Sequence, residues 1–178
     1  MPELKIFGVT GWKNSGKTRM VAALVSEFDR RGFTVSTVKH AHHSFDIDRE
    51  GTDSWQHRKA GTKETLLVSR VRWALMHELQ DEEEPPMETL LEMLAPCDLV
   101  LIEGYKRENH DKIEVIRSES LIDKPRWPED DTIVAIAAKE QPDGCTLPCF
   151  DPDDIGAIAD FIVSRLSLEN PGGRHAAE

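Results

Sequence analysis

A glycine-rich loop near the N-terminus holds residue types that could bind phosphate. The sequence reads GWKNSGKT directly after an apolar run at residues 6–9. A strand that turns through glycines into a helix points successive backbone N–H groups inward, where they can surround a β-phosphate. The lysine adds positive charge, and the hydroxyl that follows it can coordinate Mg²⁺. The predicted phosphate-binding residues are Gly11, Trp12, Lys13, Asn14, Ser15, Gly16, Lys17 and Thr18.

A phosphate loop that works with Mg²⁺ needs an acidic partner at the carboxyl end of a neighbouring strand. Two acidic residues flank the apolar run at 99–102: Asp98 precedes it and Glu103 follows it. Five residues of strand separate them by roughly 16 Å. Only Glu103 stands at the edge where the loop lies. We therefore assign Glu103 to Mg²⁺ together with Thr18.

A second polar segment leaves the same predicted sheet edge after the strand at 33–38. Asp46 and Asp48 could hold Mg²⁺ or orient a water molecule, and Lys39 or Arg49 could neutralise developing phosphate charge. A solvated loop explains each of these charges equally well. The position of the segment nevertheless makes it a candidate switch that senses the terminal phosphate.

Three histidines in the same segment are candidate ligands for a transition metal. They are His40, His42 and His43. Their spacing within a loop fixes no coordination geometry and supplies no fourth ligand. Metal binding is therefore an alternative use of this segment.

Strand-like and helix-like segments alternate along the chain, which favours parallel strands joined by right-handed crossovers. The pattern predicts an α/β, P-loop NTPase-like three-layer fold with a mostly parallel sheet covered by helices on both faces. The predicted strands lie at 4–10, 33–38, 64–68, 72–79, 99–102, 112–117 and 132–137, and the helices at 18–31, 87–94 and 154–168. Residues 1–168 are predicted to form one domain, and residues 169–178 a disordered tail.

Composition limits the partners that the chain can take. The 178 residues carry a net charge of -11, which repels nucleic acid and anionic membranes. No apolar run approaches the roughly 18 residues of a membrane span. We therefore expect no nucleic-acid partner, no membrane partner and a cytoplasmic location.

The motifs resemble those of the MobB family of molybdopterin-guanine dinucleotide biosynthesis adapters. Beside the phosphate loop, the resemblance rests on VKHAHHSFDIDREGTDSWQHRKAG and DLVLIEGYK, and it spans most of the chain. It implies a homodimeric GTP-binding protein with weak GTPase activity. Such a protein works beside the nucleotidyltransferase that attaches GMP to molybdopterin, and molybdopterin itself is a possible ligand.

Carried over by position, the resemblance gives individual residues their roles. Residues 11–18 and Lys39 bind GTP, with Lys39 or Asp48 in the switch role. The catalytic residues are Lys17, Asp48 and Glu103, and Thr18, Asp48 and Glu103 are the Mg²⁺ ligands.

Two positions depart from patterns known in related nucleotide-binding proteins. Guanine-selective G proteins carry NKxD, whereas residues 138–143 read AKEQPD, so guanine preference follows from the resemblance alone. Dimer-activated NTPases carry a lysine five residues before the loop lysine, and Trp12 occupies that place. Lys13 lies one residue later.

A small-molecule kinase on the same fold is an alternative to the adapter function. Such an enzyme would need an arginine-rich lid and an acid that binds the acceptor. The candidate arginines, Arg70, Arg72, Arg107 and Arg117, are scattered. A metallochaperone that uses the histidine segment is a further alternative, and stoichiometric nickel or zinc binding would reveal it.

Overall fold

A computed structural model describes residues 4–41, 45–117, 124–169 and 171. In chain order the elements are β1 (Ile6–Thr10), α1 (Lys17–Arg30), β2 (Val35–Lys39), α2 (Asp53–Lys59), β3 (Glu64–Val68), β4 (Trp73–His77), α3 (Met87–Glu92), β5 (Leu99–Glu103), β6 (Lys112–Val115), β7 (Ile133–Ala137), β8 (Cys149–Phe150) and α4 (Ile155–Leu166).

The chain forms two compact units. The first comprises Met1–His40 and Pro96–Glu178, and the second comprises residues 41–95. Each unit is compact on its own, and the prediction of one domain over residues 1–168 stays a prediction. The predicted tail at 169–178 lies mostly outside the described residues.

The first unit contains a six-stranded sheet in the order β2-β5-β1-β6-β7-β8. Every neighbouring pair is parallel. The predicted α/β fold with a mostly parallel sheet is therefore confirmed. Each predicted strand and helix is also present, with ends that differ by a few residues.

One face of this sheet is covered by α1 and α4. Phe28 of α1 and Ile162 of α4 are fully buried against strand residues that include Phe7, Leu101 and Ile113. Apolar residues recur at helical spacing along α1, so they bury one stripe against the sheet. Packing in this shared core fixes the position of α1 relative to β1. It therefore fixes both ends of the loop that joins them.

Strand β8 was not predicted. It has only two residues, Cys149 and Phe150, and pairs with the end of β7. Its surroundings are rich in glycine and proline, and a two-residue strand carries no measurable hydrophobic period. The signal was therefore too short to read from sequence.

The second unit contains a two-stranded antiparallel sheet formed by β3 and β4, together with α2 and α3. The N-cap of α2 is Thr52, whose hydroxyl accepts a hydrogen bond from the backbone N–H of Trp55. A Thr N-cap satisfies one of the free N–H groups at a helix start. Among the described residues, no helix has the length and apolar character needed to cross a membrane.

His77 joins three parts of the second unit. Its Nδ1 lies 2.8 Å from Glu64 Oε1 on β3, and its Nε2 lies 2.9 Å from Glu82 Oε2 in the loop after β4. Hydrogen bonds to Glu64 and then to Glu82 raise the pKa of His77 above the ordinary 6.5. Both ring nitrogens donate only in the imidazolium form, so protonation completes the contact.

We expect the second unit to become less stable at alkaline pH, because this contact is lost there. The folded-state pKa is raised, so the stabilisation is complete below the ordinary value and is lost as the pH rises through the folded value. Thermal melting of the wild type and His77→Gln from about pH 5.5 to about pH 9 measures this. The difference in melting temperature should shrink as the pH rises, and a constant difference would contradict the prediction.

Candidate phosphate-binding site

The loop between β1 and α1 has the backbone of a phosphate cradle. Gly11, Asn14 and Gly16 have positive φ angles of 138°, 63° and 102°. A Cβ at Gly11 would lie 2.6 Å from the carbonyl oxygen of Val115, so only glycine fits there. These residues turn the chain sharply enough for α1 to begin at Lys17.

Helix α1 begins with free donors. Its N-cap is Gly16, no side chain caps it among the described residues, and no acidic residue lies in its first turn. The first N–H groups of a helix have no partner within the helix and carry partial positive charge. The buried hydroxyl of Ser15 also lacks a hydrogen-bond partner in the described part of the chain. This donor set fits an anion with several oxygens.

Thr18 and Glu103 meet at the same sheet edge. The Thr18 hydroxyl donates a hydrogen bond of 2.8 Å to Glu103 Oε1, and Glu103 is buried at the end of β5. Hydroxyl and carboxylate oxygens are ligands that Mg²⁺ accepts. Asp98, at the opposite end of the strand, instead accepts hydrogen bonds from the backbone N–H and hydroxyl of Thr34. Glu103 therefore lies at the end of β5 that meets the loop, and Asp98 lies at the other end. The assignment of Glu103 to Mg²⁺ stays a prediction.

Three lysines bring positive charge to this part of the first unit. Lys17 Nζ lies 2.5 Å from the carbonyl oxygen of Trp12, and Lys39 Nζ lies 3.4 Å from Glu103 Oε1. Burial and the nearby charge of Lys106 lower the pKa of Lys17, although Glu103 opposes the shift. A positive site in a chain with a net charge of -11 is a local exception that favours an anionic ligand.

Two residues from the connection between β6 and β7 border the loop. The guanidinium of Arg117, just after β6, lies 3.2 Å from where a Cβ of Gly16 would stand. The indole Nε1 of Trp12 donates a hydrogen bond of 2.9 Å to the carbonyl oxygen of Lys124. Both contacts come from the connection between β6 and β7, so this connection helps to fix the loop.

The structure brings most of the predicted residues together. Residues 11–18, Lys39 and Glu103 all belong to the first unit, where Lys13 and Asn14 are exposed. Asp48 belongs to the second unit. Its Oδ1 accepts hydrogen bonds from the Arg49 N–H and from the hydroxyls of Thr52 and Ser54. The assignment of Asp48 to Mg²⁺ stays a prediction.

Asp46 and Asp48 share a basic neighbour. Arg58 Nη1 lies 2.8 Å from Asp46 Oδ1 and 3.6 Å from Asp48 Oδ2. Burial would raise the pKa of Asp48, but hydrogen bonds from Ser54 and Thr52 outweigh it and lower the pKa. Asp48 is thus held as a carboxylate that organises the start of α2.

The histidine segment is described only in part. His40 lies at the end of β2, where its N–H donates to the Glu103 carbonyl at 3.0 Å and its ring lies 4.8 Å from the Tyr105 ring. His42 and His43 lie outside the described residues. No cluster of three metal-binding side chains occurs among the residues that are described.

Two residues near the loop were not assigned from sequence. In the sequence, Lys106 belongs to the GYK ending, and Arg117 is one of several scattered arginines. Lys106 places its ammonium 5.2 Å from the centre of the Trp12 ring. The sequence signal available for Lys106 was its position three residues after Glu103, because the residues that follow Glu103 leave the sheet at the same edge.

Comparison with known proteins identifies the family. Residues 6–139 match the MobB family, described as molybdopterin guanine dinucleotide synthesis protein B. The chain is similar to the molybdopterin-guanine dinucleotide biosynthesis adapter protein of Escherichia coli strain K12, with 32% identity over 94% of this chain and 96% of that protein. It is 37% identical to the adapter protein of that name from Haemophilus influenzae, over 92% of this chain and 90% of that protein.

Solved structures give the same result. A crystal structure of molybdopterin-guanine biosynthesis protein B superposes with a TM-score of 0.70 and 26% identity, over 91% of this chain and 99% of that one. A MobB homologue from Bacillus stearothermophilus gives 0.66 and 26%, over 91% and 97%. The agreement of family match, relatives and fold shows that the chain belongs to the MobB family.

Proposed function

We propose that the chain is a GTP-binding adapter in molybdopterin guanine dinucleotide biosynthesis. The observation that carries this is the Thr18–Glu103 contact beside Lys17 at the start of α1. It places candidate ligands for Mg²⁺ next to donors for phosphate, which is the arrangement that a nucleotide with Mg²⁺ requires. The relatives named as biosynthesis adapters supply the pathway.

In this proposal, the chain assists the nucleotidyltransferase that attaches GMP to molybdopterin, in the cytoplasm. GTP and Mg²⁺ are its cofactors, with Lys39 and Asp48 as proposed switch residues. An adapter needs slow GTP hydrolysis, since each nucleotide state must last long enough to change the affinity for a partner.

Guanine preference follows from the family resemblance and not from the residues after β7. In the loop after β7, Lys139 forms ion pairs with Asp151 at 2.8 Å and with Asp153 at 2.6 Å. These residues do not reproduce the NKxD pattern. Calorimetry with GTP and ATP in the presence of Mg²⁺, followed by phosphate release over hours, tests the preference. Tighter GTP binding with slow release supports the adapter, whereas an ATP preference favours a kinase.

Removal of the loop lysine should eliminate nucleotide binding. Lys17→Ala removes donors to charged phosphate oxygens, which predicts at least about a 100-fold loss of affinity. Its side chain is not part of the apolar core, so circular dichroism and melting temperature should stay close to the wild type. Lys63→Ala, in the second unit, removes the same charge and is the control. Unchanged affinity in Lys17→Ala would rule out this site.

Neutralising Glu103 should reduce hydrolysis more than binding. Glu103→Gln keeps the side-chain volume and an acceptor for Thr18, but it removes the negative charge that would hold Mg²⁺. We expect a decrease of roughly 100-fold in Mg²⁺-dependent phosphate release and a much smaller change in GTP affinity.

Asp98→Asn provides the matched control for Glu103→Gln. It makes the same chemical change at the opposite end of β5, where the carboxylate contacts Thr34. Hydrolysis by Asp98→Asn should match the wild type. Equal decreases in binding and hydrolysis in Glu103→Gln would point to a structural role for Glu103.

The proposed adapter is a homodimer, and the second unit offers a surface for it. Leu66 pairs with Leu75 and Val68 with Trp73 across the β3–β4 hairpin, so these four residues share one face. All four are exposed, with Trp73 at 68%. An exposed face made of neighbouring apolar side chains is typical of an interaction site.

Introducing a charge on this face should dissociate the dimer. Trp73→Glu places a carboxylate where apolar contact is needed, so light scattering after gel filtration should give the monomer mass. Arg70→Gln, in the turn of the same hairpin, is the control and should stay dimeric. A folded Trp73→Glu variant that remains dimeric would contradict this assignment of the interface.

A further inference from the structure

Trp12 is held firmly at the start of the phosphate loop. Its indole N–H donates to the carbonyl oxygen of Lys124 at 2.9 Å, and its own carbonyl oxygen accepts from Lys17 Nζ at 2.5 Å. This is the position at which dimer-activated NTPases carry a second lysine. This chain therefore has an aromatic side chain at the position where those NTPases have their second lysine.

Lys106 supplies a charge at that place from another part of the chain. Its ammonium lies 5.2 Å from the centre of the Trp12 ring. Lys106 has no ion pair with any residue that the structure describes, whereas Lys39 has Glu103. The ammonium groups of Lys17 and Lys106 repel each other, which is one reason that the pKa of Lys17 is lowered. The ammonium groups of Lys17 and Lys106 therefore both contact Trp12, and Lys106 has no acidic partner among the described residues.

The turn after Glu103 directs Lys106 to this position. Gly104 and Tyr105 both have positive φ angles, 97° and 44°. A tyrosine in the left-handed region is uncommon and must be held by its surroundings. The His40 ring lies 4.8 Å from the Tyr105 ring, and a Cβ at Gly104 would lie 3.2 Å from the Cβ of His40. The end of β2 therefore supports the turn that aims Lys106 at the loop.

We propose that Lys106 is a second phosphate-binding cation that selects nucleoside triphosphate over diphosphate. The inference rests on the proposed function of the site. Lys106 lies three residues after Glu103, the proposed Mg²⁺ ligand, and its ammonium lies beside Trp12 of the phosphate loop. A charge-assisted hydrogen bond to phosphate is stronger than contact with an exposed ring face. The ammonium therefore leaves the Trp12 ring when a terminal phosphate is present.

Lys106→Gln tests the inference by comparing two nucleotides. Calorimetry with Mg²⁺ and a non-hydrolysable GTP analogue should show affinity reduced about 10-fold, whereas affinity for GDP should stay within about twofold. Lys106→Arg keeps a positive charge and should retain most of the selectivity. Lys59→Gln removes a lysine that lies 5.5 Å from the Trp55 ring in the second unit, and it should bind both nucleotides like the wild type.

Tryptophan fluorescence gives a second readout. The triphosphate analogue should change the emission of the wild type as the cation leaves the Trp12 ring, and this part of the change should be missing in Trp12→Phe. In Lys106→Gln no cation covers the ring, so the emission should change less. GDP should produce little change in any of the variants.

The outcomes separate this inference from the proposed function. Wild-type protein that binds GTP while Lys106→Gln keeps the same selectivity overturns the role of Lys106 alone. Equal losses of both nucleotides assign Lys106 to general attraction and also overturn it. Wild-type protein that binds no nucleotide overturns the proposed function and this inference with it.

Discussion

The contact between Glu103 and Thr18 depends on the register of three parallel strands. Glu103 pairs with Val9 of β1 on one side and with Lys39 of β2 on the other. All five residues of β5 are buried, so a slip of one residue would turn its side chains to the opposite face and place the carboxylate elsewhere. Core packing therefore positions the acid, and the acid orients the first turn of α1.

Charge at the site is arranged against the charge of the whole chain. The net charge is -11, yet Lys17, Lys39 and Lys106 bring positive charge to the phosphate loop and to the end of β5. Clustered like charges cost free energy unless a counter-charge binds, and the lowered pKa of Lys17 reflects burial together with that repulsion. A bound polyphosphate would remove the repulsion, so the cost in the free protein favours binding. This is the physical sense in which the site is prepared for an anion.

Sequence alone predicted the parts of this site that local rules determine. The loop at 11–18 follows from glycine spacing, and Glu103 follows from strand direction, since only one end of β5 can face the loop. Lys106 was missed because its place depends on two successive left-handed residues, Gly104 and Tyr105, that no local pattern indicates. Strand β8 was missed because two residues carry no period. Asp48 resembles a metal ligand in sequence, but its hydrogen bonds to Thr52 and Ser54 arise from how the start of α2 folds.

A second buried carboxylate explains how the loop is held from its other side. Glu114 of β6 is fully buried, and it accepts hydrogen bonds from the backbone N–H groups of Arg126 and Trp127. Burial raises its pKa, although those hydrogen bonds oppose the shift. The anchored segment includes Lys124, whose carbonyl oxygen accepts from the Trp12 indole. A buried acid is costly unless it is hydrogen-bonded, and here its partners are the backbone that fixes Trp12. The position of Trp12, and through it of Lys17 and Lys106, therefore depends in part on Glu114.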